Sequence, residues 1–406
     1  MIVLALKLTE LFYNMRGLAY ISSKSRITFY WTSLMSDSAP HCADSGQSDI
    51  DWPSELSNLA FAHGLPEIYG SIKSSPEDFI VREIMDVIPS GEGEHTWLDI
   101  TKTRNNTDKV ARQLAKFSGV SYRDVGYSGI KDFQAVTRQW FSVWRPKGHE
   151  LDWSSFEMTG VTLNKVVKHN RKIKRSTHKR NFFQICVRNL SLDPCCQVEL
   201  NKLAIERLDS RLHTIAEQGV PNYFGAQRFG RNASNMPQVL DMFAGSRRVK
   251  DRHLRSLLLS SARSWIFNRV LSARINDNTW NTLFAAEPAN LNGSNSVFIA
   301  SNSPEEQRRI KLLDIHPTSP MWGDGRHEFE LSCPELAAFE NQQVSDLRDL
   351  KLGLESARIA HQRRATRTIP ENLKWVLDND SLILCFELSP GQYATSVLRE
   401  TVKESV

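Results

Sequence analysis

The sequence predicts an α/β (α+β) chain in which one sheet domain is interrupted by a largely helical segment. Strand-like alternation recurs in SPEDFIVREI (75–84), HTWLDITK (95–102), AVTRQWFSVW (135–144) and FFQICVRN (182–189), and returns in LILCFELS from residue 382. From Met236 to about Arg364 the texture changes to helical segments such as LRSLLLSSARSWIFNRVL, joined by polar loops. A length of 406 residues exceeds what one ordinary core holds, so a second folded part or an insertion is expected.

Residues 1–60 read as an N-terminal extension, partly disordered. The opening MIVLALKLTELFY is broken by Lys7 and Glu10 and has no clean small-residue cleavage site, which argues against secretion. Met35 opens a polar leader, MSDSAPHCADSGQSDIDW, and is expected to be the natural start. In SPEDFIVREI, Phe79 and Val81 share one face, and Ile80 and Arg82 the other. HTWLDITK follows as a second strand, and MDVIPSGEGE between the two reads as a hairpin connection. NNTDKVARQLAKFSGV gives an amphipathic helix capped by Asn106 or Thr107, with Val110, Ala111, Leu114 and Phe117 as its stripe and Gly119 as its end. DVGYSG is a short strand running into a turn at Gly129, and AVTRQWFSVW leaves that turn as a strand. Asp132 therefore sits at the mouth of a strand-loop-strand unit, where a sheet can present a loop side chain to a cleft. After FFQICVRN, a helix from about Gln197 to Gln218 is expected, with Leu203, Leu208, Leu212 and Ile215 inward and Gly219 and Pro221 as its stop. SPGQYAT is a turn after the last strand, and SVLRETVKE a closing helix. Residues 61–220 and 371–406 thus form one domain, with 221–370 inserted.

Composition excludes several classes. A net charge of +5 is only mildly basic, and no apolar run approaches the roughly 18 residues of a membrane span. The six cysteines show no CxxC spacing and suit neither zinc nor a disulfide framework, which implies a reducing, cytoplasmic setting. HEFEL lacks the second histidine of HExxH, and GEGEHT lacks a third glycine for GxGxxG. Any chemistry is expected to run on side chains alone, without metal or cofactor.

The densest charge lies in KVVKHNRKIKRSTHKRN (165–181), which includes Arg171, Lys172, Lys174, Arg175, Lys179 and Arg180 and no acid. A solvated basic loop is the ordinary reading of such a run. Here it feeds directly into Asn181-Phe182-Phe183, and cations flanking stacking rings are how proteins hold unpaired RNA. NYFGAQRFG (222–230) reads first as a packed junction filled by Tyr223, Phe224 and Phe229. Arg228 is the residue that packing explains least, and it suits a phosphate or a carboxylate. Asp132, with Lys131 beside it, is ordinarily a solvated turn residue. Beside a basic tract and aromatics, it also fits a carboxylate nucleophile acting on a nucleoside whose base has left its stack, with Phe183 as a receiving ring.

SPEDFIVRE, GEGEH, NNTDKVARQLAKFSGV, GYSGIKDFQAVTRQWFSV, HKRNFF, VPNYFGAQRFG and SPGQYATSVLRE resemble, in that order, the motifs of the TruD family of tRNA pseudouridine synthases. The likeness covers about Leu65 to Thr401. It implies a pseudouridine synthase fold with a mixed, largely antiparallel sheet and a mainly helical insertion domain closing over an RNA cleft. It also implies isomerisation of uridine 13 of tRNA, with no cofactor and no protein partner, by a monomer. By this resemblance the catalytic aspartate is Asp132, and the uridine-contacting positions are Phe79, Asn181, Phe183 and Tyr393. Lys73 becomes a partner favouring the charged form of Asp132. Phe133 departs from the family pattern, in which a basic residue often follows the aspartate, and Phe182 adds a ring.

Two other classes fit parts of the sequence: an RNA-binding protein in which Asp132 only caps a turn, and a metal-dependent RNA hydrolase using scattered carboxylates. Both share with the synthase reading a cationic grip on RNA through residues 165–180. Replacing three or four of those cations weakens RNA binding and flattens its salt dependence, by about one unit of log-log slope for each phosphate no longer neutralised. A salt slope unchanged in filter-binding titrations returns the tract to a solvated loop.

Overall fold

The computed structural model describes residues 50–146, 150–175, 177–294 and 296–405. The expected start at Met35 and the extension up to residue 49 lie outside the described residues. From Ile50 onward the chain forms one compact unit.

Its frame is a sheet of ten strands among the described residues: β1 Tyr69–Ile72, β2 Phe79–Ile84, β3 His95–Thr103, β4 Val125–Tyr127, β5 Val136–Trp144, β6 Val161–His169, β7 Arg180–Ser191, β8 Glu371–Asp378, β9 Ser381–Leu388 and β10 Lys403–Glu404. The order along the sheet is β8-β9-β7-β2-β5-β3-β6, with β1 beside β7 and β10, and β4 beside β5. β2 pairs parallel with β5 and β1 with β10; the remaining pairs are antiparallel.

This order corrects the expected hairpin between residues 75–84 and 95–102. Alternation identifies both segments as strands but says nothing about their neighbours. β5 lies between them, with Val81 opposite Thr137 on one side and Asp99 opposite Trp140 on the other. MDVIPSGEGE instead runs to the end of β6, where the Gly91 amide donates to the Lys168 carbonyl at 3.1 Å. Gly93 takes a φ of +116° there, and a Cβ on it would lie 2.5 Å from the His169 carbonyl oxygen, so this close approach requires glycine.

The helices are α1 Trp52–Ser57, α2 Thr107–Ser118, α3 Lys202–Gln218, α4 Asn235–Phe243, α5 Arg252–Asn276, α6 Pro304–Lys311, α7 Arg326–Ser332, α8 Pro334–Gln343, α9 Arg348–Ser356 and α10 Ala394–Thr401. Val81 faces the same side of the sheet as Thr137 and Phe183, its partners across both pairings. On that side α2 packs Val110, Ala111 and Leu114 onto Leu98, Ile100 and Phe141. On the same side α3 and α10 pack onto Phe183, Ile185, Leu384 and Phe386. The helices thus cover one sheet face in two blocks, leaving room between them.

α3 begins at Lys202 rather than Gln197, because the Asn201 side chain accepts from the Ala204 amide at 2.9 Å and caps it. The inward stripe is Ala204, Leu208, Leu212 and Ile215, whereas Leu203, expected inward, is 54 % exposed. A helical period places Ala204, not Leu203, one turn before Leu208.

The middle segment is mainly helical and centres on α5, whose Leu258, Ala262, Trp265, Ile266 and Val270 pack against Phe229, Met236, Leu350 and Leu354. Trp52 of α1 joins this core edge-on against Trp265, with ring centroids 4.7 Å apart. Short strands supplement the helices: Pro288–Leu291 pairs with Val297–Ile299 and with Ile315–His316, and Thr318–Met321 pairs with Gln362–Ala365. Val220–Pro221 and Arg367–Thr368 pair antiparallel, so the chain enters and leaves the middle segment side by side. No helix among the described residues is long and apolar enough to cross a membrane.

One ion pair inside this segment is wholly buried. Arg274 of α5 donates to Glu287 at 2.6 Å and to the carbonyls of Thr279, Thr282 and Thr318. Removing one partner strands a buried charge. Glu287→Gln is therefore expected to cost about 3–5 kcal/mol of unfolding free energy in urea titrations, and a loss below about 1 kcal/mol, the value of an exposed pair, contradicts the assignment.

Candidate active site

The loop 128–133 leaves β4 and enters β5, and buried groups of the sheet hold it from beneath. Gln139 of β5 donates through Nε2 to the Gly129 carbonyl at 3.1 Å and accepts from the Thr107 hydroxyl at 3.0 Å. Thr107 in turn accepts the Lys131 amide at 3.0 Å. Lys102, at the end of β3 and fully buried, donates its ammonium to the Asp132 carbonyl at 3.0 Å and the Lys131 carbonyl at 3.4 Å. Burial pushes the Lys102 pKa down to about 8, with Asp132 opposing the shift and Lys131 adding to it.

Held this way, Asp132 presents a side chain that is 52 % exposed, and Lys73 donates to Oδ2 at 2.7 Å. Lys73 adopts a φ of +59°, uncommon for a residue with a Cβ, and its ammonium lies 4.2 Å from the centroid of the Phe79 ring. Phe79 meets Phe183 edge-on at 6.1 Å, and Phe183 stacks on Phe386 at 5.5 Å. These rings belong to the core and also form a wall of a cavity of about 340 Å³ lined by Phe79, Lys131, Asp132, Asn181, Phe183 and Tyr393. A volume of this size suits one small planar ligand.

A hydrogen-bonded chain fixes the polar wall. Lys131 reaches the buried carboxylate of Glu83 at 2.9 Å and donates to Asn181 Oδ1 at 2.7 Å. A lysine has only donors, so the Asn181 amide must turn its oxygen to Lys131 and its nitrogen to His178 Nε2, 3.1 Å away. His178 Nε2 is then an acceptor, and its Nδ1 carries the proton and donates to Ser128 Oγ. Burial, with Lys131 adding, brings the His178 pKa down to about 4, so the ring stays neutral at ordinary pH. Burial raises the Glu83 pKa against the pull of Lys131. The cavity lining offers one carboxylate and one imidazole with both nitrogens occupied, a poor donor set for a metal.

The structure brings Asp132, Phe79, Asn181, Phe183, Tyr393, Lys131 and Arg175 to this cavity, with Lys73 on the carboxylate. Arg228 meets no carboxylate; it donates to the Tyr393 hydroxyl at 2.5 Å and to Ser260 Oγ at 3.2 Å, behind the wall. The rest of the basic tract disperses. Arg171 and Lys174 are exposed away from the cavity, and Lys172 donates to the Arg123 carbonyl. Lys179 pairs with Asp86 at 2.9 Å, and Arg180 with Glu371 at 2.6 Å.

Lys102, Glu83, Gln139 and His178 escaped the sequence reading as site residues. Strand phase carries a signal for three of them: Lys102 is in step with core residues Leu98 and Ile100, Glu83 with Phe79 and Val81, and Gln139 with Phe141 and Val143. A charge or amide on the buried face at a strand end marks a place where the core meets a site.

The family model described as tRNA pseudouridine synthase D (TruD) matches residues 55–239 and 236–401. The tRNA pseudouridine synthase D of Methylococcus capsulatus is 40 % identical over 348 residues, covering 85 % of this chain and 94 % of the relative. That of Hydrogenovibrio crunogenus is 36 % identical over 351 residues, covering 86 % and 97 %. Among solved structures, one carrying the name tRNA pseudouridine synthase D, from Methanosarcina mazei, superposes with a TM-score of 0.64 at 18 % identity over 87 % of this chain and 98 % of that one. At that identity the superposition speaks for the fold.

Lys102 has a measurable signature. Its folded pKa lies below the unfolded value near 10.5, so between about pH 8 and 10.5 the unfolded chain binds more protons and this group's contribution to stability rises with pH. Below about pH 8 the full cost of burying the cation applies. Relative to Lys102→Met, the parent chain is expected to gain about 1–3 kcal/mol between pH 8 and 10 in urea unfolding. Parallel pH profiles for the two proteins contradict the buried-ammonium picture.

Proposed function

The chain belongs to the tRNA pseudouridine synthase D (TruD) family, and from that membership we propose that it isomerises uridine 13 of tRNA to pseudouridine with Asp132 as the covalent nucleophile. The observation that carries the reading is convergence. Residues from segments far apart in sequence, Lys73, Phe79, Asp132, Asn181, Phe183 and Tyr393, meet around a single carboxylate that faces a cavity of about 340 Å³.

In this reading the target uridine leaves its stack and enters the cavity with its base against Phe79 and Phe183, while Asn181 and Tyr393 supply polar contacts. Asp132 attacks either C6 of uracil or C1′ of the ribose, and both routes use the same carboxylate. The N1–C1′ bond breaks, the uracil turns within the pocket, C5 joins C1′, and the bond to Asp132 is broken again with its electron pair returning to the carboxylate. The C5 proton is then lost and N1 gains one. Reactant and product are isomers, so atoms and electrons balance without a co-reactant. Lys73 donates to Oδ2 and orients the nucleophile before attack, and the half-exposed setting of that pair keeps its contribution modest. The buried Lys102 keeps the loop from yielding while the covalent bond forms and breaks.

The division into residues 61–220 and 371–406 as the catalytic part, with 221–370 inserted, belongs to the same proposal. It is supported by the pairing of Val220–Pro221 with Arg367–Thr368. Exposed Arg171, Lys174 and Arg175 are proposed contacts to the tRNA backbone.

Asp132→Asn is expected to abolish pseudouridine formation, a loss of at least about 10⁴-fold typical of a missing nucleophile, while tRNA affinity stays within a few-fold. Chemical mapping of pseudouridine in tRNA incubated with each protein reads both site and extent. An active Asp132→Asn protein removes the assignment, and a strand cut that EDTA suppresses selects the hydrolase instead.

A further inference from the structure

Beside the catalytic cavity lies a larger one of about 1010 Å³, bounded by the middle segment on one side and residues 389–392 on the other. The two cavities share His178, Pro390, Gly391 and Gln392 as a common wall. No carboxylate lines the larger one among the described residues.

Its amide groups are oriented, and the orientation follows from their partners. Arg367 Nε donates to His316 Nδ1 at 3.0 Å, and a guanidinium can only donate, so that ring nitrogen is the acceptor. His316, buried and held down to a pKa of about 3 chiefly by burial, is neutral and carries its proton on Nε2. Nε2 therefore donates to Asn292 Oδ1 at 3.1 Å, which turns the Asn292 amino group away from His316, with no acceptor for it among the described residues. On the shared wall, Gln392 Oε1 accepts the Ser389 amide at 3.2 Å, which orients the side chain, and its amino group meets no acceptor among the described residues. A chamber lined by no carboxylate and by two oriented amide groups, whose amino groups meet no acceptor among the described residues, is matched to a ligand rich in acceptors and carrying negative charge. A nucleotide has both, in its base carbonyls or ring nitrogens and in its phosphate.

Resting on the synthase reading above, we infer that this chamber holds a second nucleotide of the same RNA, a near neighbour of the target, with Asn292 Nδ2 and Gln392 Nε2 donating to acceptors on its base. The shared wall explains the pairing: a strand that delivers one nucleoside to Asp132 passes its neighbour over residues 390–392. Asn292 then acts as a specificity-determining residue remote from the chemistry.

The test is a cycle between protein and RNA. Stem-loop RNAs carrying a single abasic site at each position within two nucleotides of the target are assayed for pseudouridine with the parent enzyme, Asn292→Ala and Asn292→Asp. For the parent, one non-target abasic site is expected to lower kcat/KM by about tenfold or more, the scale of a two-point base contact. Asn292→Ala should lose a similar factor on the intact RNA and little more on that abasic RNA. Asn292→Asp, which keeps the shape but replaces the donor by an anion, should lose more than Asn292→Ala on the intact RNA. Additive losses, or a parent enzyme indifferent to every flanking abasic site, overturn the inference while leaving the synthase reading standing. A parent enzyme forming no pseudouridine on any RNA overturns both.

Discussion

A carboxylate offered from a turn keeps its place only if the turn does not give way, and here the turn bearing Asp132 is held by cations and amides buried beneath it. Lys102 is the extreme case: an ammonium with no exposure, placed under two carbonyls of the loop rather than beside a carboxylate. Burying such a charge is costly, and among the described residues the loop carbonyls and the charge of Asp132 compensate it. The remaining hydrogen bonds follow from this arrangement, since Gln139 and Thr107 hold backbone groups of the same loop and Glu83 aligns the Lys131 side chain toward Asn181. Stability is spent at this spot to fix one carboxylate in space.

The middle segment is tied to that loop's surroundings through arginines. Arg364, with burial bringing its pKa down to about 10, lies over Phe224 at 4.3 Å and donates to Asn222 at 2.6 Å and to the Gly391 carbonyl at 2.9 Å. Arg228 reaches Tyr393 two residues further on. The turn 389–393, which walls the cavity at Asp132, thus takes its position from side chains outside the sheet. A shift of the middle segment would move Tyr393 relative to Asp132, a physical route by which a ligand held there would reach that carboxylate.

Much of this was legible in the sequence where local periodicity decides the outcome. The strands at 79–84, 95–103, 136–144 and 180–191 and the helix ending at Gly119 follow from alternation and capping, and Tyr223, Phe224 and Phe229 pack as their composition suggests. Asp132 with its aromatic surroundings was legible through motif resemblance rather than spacing. What stayed hidden depends on which strands are neighbours. The expected hairpin failed because a parallel crossover places β5 between β2 and β3, and no local pattern encodes that. Leu203 was misplaced because it stands five residues before Leu208, outside the three-to-four-residue helical spacing, while the rest of the stripe faces inward as expected. The buried lysine and glutamate were missed because charged residues in strands are read as solvent-facing unless their phase is counted.

The order of the sheet also governs when the molecule becomes competent. β7 is closed on one side by β2 and on the other by β9, and the ring at 393 stands beyond β9. During synthesis the segment bearing Asp132 emerges some 250 residues ahead of that closing strand. A ribosome-bound chain of intermediate length carries Asp132 while one edge of its central strand is still unpaired. Such long-range closure slows folding and exposes an open β-edge to other chains, so the interval between those two events is when this protein most needs protection from aggregation.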